Sequence, residues 1–197
     1  MGVLPRLDGI VSLPNWTMAG ILPPVRPGSD PAGPDRSPYN VSLNDLVNRF
    51  ATSPERAQIL GGLLQYRTDL YATGIVDGFQ WVNGSFLEDV ETNDNRPPND
   101  IDVVTYIVIP TGTSQAALLP ALAPLMDKKA TKAKYKVDAH VFSLQQVTIP
   151  IICYWYSLWS HRRDGLWKGF AQVALDPASD TTAQAALAQV KASGFAP

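Results

Sequence analysis

The chain is poor in cysteine: Cys153 stands alone among 197 residues, which excludes an internal disulfide and a multi-cysteine zinc site. Its setting, I-I-C-Y-W-Y (151–156), implies a buried and inert thiol rather than a nucleophile. Long hydrophobic runs are missing as well. No stretch approaches the roughly 18 apolar residues of a membrane-spanning helix, and the first residues lack the charged-then-apolar plan of a secretory signal. A cytoplasmic protein without a membrane partner is the expectation. Charge is sparse, at 17% Asp, Glu, Lys and Arg with a formal net charge of −2. That balance argues against wholesale electrostatic binding to nucleic acid, though not against a local basic patch. No internal repeat recurs. The 45% of hydrophobic residues, over this length, suits one domain with a sizeable core.

Proline, by contrast, is abundant and unevenly placed. Residues 1–40 hold eight of the seventeen, and such a segment forms neither a regular helix nor a central strand. Its Leu13, Trp16, Ile21 and Leu22 predict an extended arm lying partly on the surface of a domain formed by residues 41–197, with 26–38 its loosest part. In that domain, S-L-N-D-L-V-N-R-F (42–50) reads as a short helix capped by Ser42. A longer helix is opened by Ser53 and Pro54 and closed before Gly74, with Leu60, Leu63, Leu64, Leu70 and Tyr71 on its core face. The acidic stretch E-D-V-E-T-N-D-N (88–95) reads as a solvated loop. Residues 114–127 have helical periodicity that Pro120 and Pro124 should kink or split. Residues 147–160 are too uniformly apolar for periodicity to separate helix from strand. W-K-G-F-A-Q-V-A-L (167–175) predicts a final strand, and 180–192 a helix capped by Asp180.

Two strands carry chemistry-bearing residues. F-Q-W-V (79–82) leads into Gly84-Ser85, and I-D-V-V-T-Y-I-V-I (101–109) continues from Asp100 and stops at Pro110. Side chains alternate along a strand, so Asp100 and Asp102 share a face. Two ionised carboxylates ~4 Å apart repel by roughly 4 kcal/mol at an effective dielectric near 20, which calls for a cation between them. Hard divalent ions prefer such oxygen ligands. Gly84-Ser85 offers a backbone bare enough for a phosphate to approach, plus a hydroxyl donor. The turn residues Pro97-Pro98-Asn99 account for Asp100 by themselves, but not for Asp102 inside an apolar strand. K-Y-K-V-D-A-H-V-F (134–142) alternates strictly and reads as a half-buried strand, with Lys134, Lys136, Asp138 and His140 on one face.

In this order the segment W-V-N-G-S-F…P-N-D-I-D-V-V (81–104) resembles the signature of the DNA polymerase beta-like nucleotidyltransferase superfamily, in the GSF…PNDID form of a bacterial and phage branch. Asn83 stands where that superfamily generally has a hydrophobic residue. The resemblance implies an α+β fold, two-layer α/β, with a mixed sheet flanked by helices. It implies that Asp100, Asp102 and Asp138 are catalytic and metal-binding, with Mg2+ or Mn2+ as cofactor, and that Gly84 and Ser85 hold the phosphates of a nucleoside triphosphate. The implied activity is transfer of a nucleoside monophosphate to a protein, an RNA end or a small molecule. A non-catalytic nucleotide-binding or regulatory module is the alternative, with a partner protein in a toxin–antitoxin or phage-defence pair. A structural protein with incidental carboxylates is a third reading. Of the two basic clusters, Lys128, Lys129, Lys132, Lys134 and Lys136 read as a solvated face. The other sits in a turn flanked by Trp159 and Trp167, where Arg162, Arg163 and Lys168 would meet the nucleotide.

Overall fold

Ile101, Val103, Val104 and Tyr106 leave no surface exposed, so the strand that carries them must be covered on both faces. It lies near the middle of a five-stranded mixed sheet. The computed structural model describes residues 9–195, so the first eight residues of the expected arm lie outside it. The strands are β1 (Tyr39–Asn40), β2 (Gly78–Asn83), β3 (Ile101–Ile107), β4 (Val137–Ser143) and β5 (Ala171–Ala174), in the spatial order β1-β5-β2-β3-β4. β2 runs antiparallel to both β3 and β5, whereas β3–β4 and β1–β5 are parallel pairs.

Among the described residues seven helices accompany the sheet: α1 (Leu43–Phe50), α2 (Pro54–Ala72), α3 (Val90–Asp94), α4 (Gln115–Met126), α5 (Lys128–Tyr135), α6 (Ile149–Trp159) and α7 (Pro177–Ser193). Ser42 and Ser53 cap α1 and α2 by accepting from the amides of Asp45 and Arg56, at 3.0 and 3.2 Å. α2 backs the sheet face that carries Gln80 and Thr105: its buried Arg67 donates to Gln80 at 2.7 Å, and Gln80 donates to Thr105 at 3.0 Å. α5 and α7 pack against α2, and α1 against α7. The result is an α+β, two-layer α/β fold. α6 lies across part of the opposite face, where Trp155 meets His140 and Tyr156 meets Trp81. Among the described residues no helix is long and apolar enough to cross a membrane.

Several local expectations are corrected. Lys134 and Tyr135 end α5 rather than begin a strand. Asp127 caps this helix through the Ala130 amide, Lys136 closes it at φ 57°, and β4 starts only at Val137. α4 runs unbroken through Pro120 and Pro124, because both lie on its exposed side, where the carbonyls they leave free can reach water. Residues 149–159 resolve as helix. The last strand is shorter than expected: residues 169 and 170 bond to Leu22 and Tyr39 of the arm instead. α7 is capped by Asp176, while Asp180 is buried and paired with Arg67 at 2.6 Å. Cys153 is exposed, since α6 turns Trp155 and Trp159 inward. The acidic stretch 88–95 is no free loop: it contains α3, and Glu91 pairs with Arg56 at 2.6 Å. The arm places Ile21 and Leu22 in the interior and supplies β1, and its residues 25–36 are closed by a Val25–Arg36 bridge and an Arg26–Asp35 ion pair.

Candidate active site

Pairing register decides which side chains meet. β3 and β4 set Asp102 directly beside Asp138, and β2 sets Asn83 beside Asp102. Neighbouring strands lie about 4.8 Å apart and partnered residues share a face, so these three side chains form a row across three strands. His140 follows Asp138 on the same face, and Asp100, immediately before β3, closes the end of the row. The Asp102 carboxyl is pushed up to about 6, first by burial and then by the negative charges of Asp100 and Asp138, with Lys168 and Lys132 pulling the other way.

Two of the cations at this row come from α5. Lys132 is ion-paired with Asp100 and lies 4.0 Å from Asp138 Oδ2, while the Lys128 ammonium is 3.8 Å from Asp138 Oδ1. Neither distance to Asp138 is a hydrogen bond, and Asp138 Oδ1 is buried without one. Asn83 Oδ1 is likewise a buried acceptor without a partner, although its amide group is fixed by donating to the Trp159 carbonyl at 3.0 Å. The His140 ring packs against Trp155 at 4.2 Å between centroids; burial, and next the charge of Lys128, hold its pKa below the ordinary value.

Gly84 bears directly on Asp102. Its φ of 87° suits glycine, and a Cβ there would run into Asp102 Oδ2. Ser85 then opens a 3-10 turn, Ser85–Leu87. Two buried cations hold this segment. Arg56 donates to the carbonyls of Phe86 and Glu88, both at 2.6 Å, and Lys168 donates to Glu88 Oε1 at 2.5 Å and to the Gly84 carbonyl at 3.4 Å. A cavity of about 290 Å³ opens before the row, with Asp102, Asp138, His140 and Lys128 on its polar side and Trp155 and Trp159 on its aromatic side.

The structure therefore brings together Asp100, Asp102, Asp138 and the Gly84-Ser85 turn, with Lys168 of the second basic cluster close enough to draw the Asp102 pKa down, but not Arg162 or Arg163. Lys168 bonds to Glu88 and to the Gly84 carbonyl. Arg162 is paired with Asp164, Arg163 is exposed, and neither lines the cavity. Lys128 and Lys132, read from sequence as part of a solvated face, stand at the carboxylates instead. Their four-residue spacing was the available signal, once residues 128–135 are recognised as helix.

Hard carboxylate oxygens suit a divalent ion. The pair Asp102 and Asp138, with one buried oxygen unbonded, fits such a cation. Asp100 is occupied by Lys132, and among the described residues no group of three or more His, Cys, Asp or Glu stands ready to hold a metal. A three-carboxylate site would require that ammonium to withdraw.

Fold and site together define an α+β protein with a carboxylate row at the edge of an aromatic-walled cavity, beside a glycine turn. Residues 14–174 match the model of the family of unknown function DUF6932, and the chain belongs to that family. Neither the curated proteins nor the solved structures give a match.

Proposed function

We propose that this protein is a Mg2+- or Mn2+-dependent nucleotidyltransferase that moves a nucleoside monophosphate from a triphosphate to an acceptor hydroxyl on a protein, an RNA end or a small molecule. One observation carries the reading: Asp102 and Asp138 are register partners on parallel strands, with the glycine turn pressed against Asp102. Asp102 and Asp138 would hold the metal, which when bound neutralises phosphate charge and lowers the acceptor's pKa. Gly84 and Ser85 supply a bare backbone and a hydroxyl for the phosphates. The acceptor oxygen bonds to the α-phosphorus, the bond to the bridging oxygen breaks, and pyrophosphate leaves with the electron pair. Asp138 takes the hydroxyl proton through the carboxylate oxygen that the metal would leave free. Trp155 and Trp159 keep water from one side of the cavity. Cytoplasm, where triphosphates and magnesium abound, is the proposed site of action.

A second reading has its own observation. The Lys132–Asp100 ion pair compensates the carboxylates without a metal, as expected of a non-catalytic nucleotide-binding or regulatory module, for instance one half of a toxin–antitoxin or phage-defence pair with a partner protein. Incubation with each labelled triphosphate and Mg2+ or Mn2+, in the presence of cell extract, separates the two. Label transferred to protein, RNA or a small molecule, and lost in Asp138→Asn, is the result expected for the enzyme. Metal-dependent binding of nucleotide without transfer supports the module, and absence of binding removes both readings.

A further inference from the structure

Lys128 and Lys132 lie one turn apart on α5, so their side chains leave the helix on the same side. Both reach the carboxylate row: Lys132 is paired with Asp100 and 4.0 Å from Asp138 Oδ2, and Lys128 is 3.8 Å from Asp138 Oδ1. They are loosely held. Each side chain is 55% exposed, and exposed lysine–carboxylate pairs contribute little stability. Lys128 also lines the cavity. Two ammonium groups carry the same charge as one divalent ion, so exchanging them for a metal leaves the carboxylates equally compensated. The exchange frees two flexible cations, each with three donors, at the mouth of the same cavity.

We propose that Lys132 and Lys128 are phosphate-binding residues of this site, parked before nucleotide arrives on the carboxylates that the metal will take. The inference rests on the nucleotidyltransferase reading and adds a ligand exchange to it. Arrival of the metal on Asp102 and Asp138, and on the Asp100 that Lys132 holds, displaces the ammonium groups from the row. Their stems swing into the cavity, where the triphosphate offers several negative oxygens in place of the carboxylates. Empty and loaded sites are both compensated, and the charge of α5 is used twice.

The exchange makes two affinities move in opposite directions, which a purely structural role does not. The full chain is compared with Lys128→Ala/Lys132→Ala and with Lys132→Arg. Mn2+ alone is titrated by the loss of its free electron-spin signal, and Mn2+ with ATP, GTP, CTP or UTP is titrated by calorimetry. The double variant should bind Mn2+ alone about tenfold more tightly and the best metal–nucleotide pair about tenfold more weakly, with Lys132→Arg close to wild type in both. Both affinities rising, both falling or neither changing overturns the exchange while wild-type binding leaves the nucleotide reading standing. A wild-type chain that binds neither metal nor nucleotide overturns the two together. Both lysines are exposed on their helix, and matched melting curves in chelator confirm that the variants are folded.

Discussion

With its carboxyl pushed up to about 6, Asp102 keeps a proton in the folded state that the unfolded chain has already released near 3.8. The sign follows from linkage. The stabilising contribution is fully present below the unfolded value and is lost as pH rises through about 6, because above it a charge must be held where burial, Asp100 and Asp138 disfavour it. Asp102→Asn keeps the shape and never acquires that charge. In chelator at about pH 8 the variant should be more stable than wild type by about 3 kcal/mol in urea denaturation, the gap closing toward about pH 4. A gap that ignores pH, or a variant weaker than wild type at the alkaline end, would give Asp102 a structural role instead. Asn83 belongs to the same scale. Its polar character at the end of β2 was visible in sequence, but its bond to the Trp159 carbonyl was not, since that needs α6 folded over the sheet.

The element that shapes the site is the segment from Gly84 to α3, which has little apolar anchorage beyond Phe86, Leu87 and Val90. Its carbonyls are gathered by Arg56, a fully buried residue of α2 whose guanidinium also takes Glu91 at 2.6 and 2.7 Å. Replacing Arg56 by Ala leaves those carbonyls and a carboxylate without their donor. The expected cost is about 3–5 kcal/mol, read from the denaturation midpoint. Arg56→Lys should recover only part of it, because a point charge cannot fork to three acceptors. A loss below about 1 kcal/mol for the alanine variant would mean that the segment is held by packing alone. From sequence, Arg56 looked like an ordinary early position of α2. Its burial depends on a segment thirty residues away, and no local pattern encodes that.

At the scale of the whole molecule, the proline-rich arm behaves as part of the domain. Tyr39 is buried, its hydroxyl donates to the Pro23 carbonyl at 2.8 Å, and its amide bonds to Phe170 at 2.9 Å as β1 joins β5. Trp16 donates to the Leu87 carbonyl at 2.7 Å, next to the segment that bears the site. A chain starting at residue 41 would lose Leu22 and Tyr39 from the interior and leave β5 as a bare edge. Its melting temperature should drop by more than about 10 °C, since each such side chain contributes roughly 1.5–3 kcal/mol. A truncated chain melting within about 2 °C of the full one would show that the arm merely lies on the surface.

By itself the sequence determined what short-range geometry controls. Capping hydroxyls opened α1 and α2, and the alternation of side chains set Asp102 on the face of Asp100 and Asp138 on the face of His140. Gly84 marked the turn that follows β2. These features depend on torsions and on periods of two or 3.6 residues, which are written locally. Where the local signal was mixed the reading slipped, as at 134–136, where an alternating run is the end of a capped helix. Only the tertiary structure decided which elements became neighbours: that β3 and β4 pair with Asp102 beside Asp138, that the lysines of α5 fall on the carboxylates, and that Arg162 and Arg163 stay away. Such contacts join residues tens of positions apart through packing of the whole chain, and the same local sequences would allow other partners.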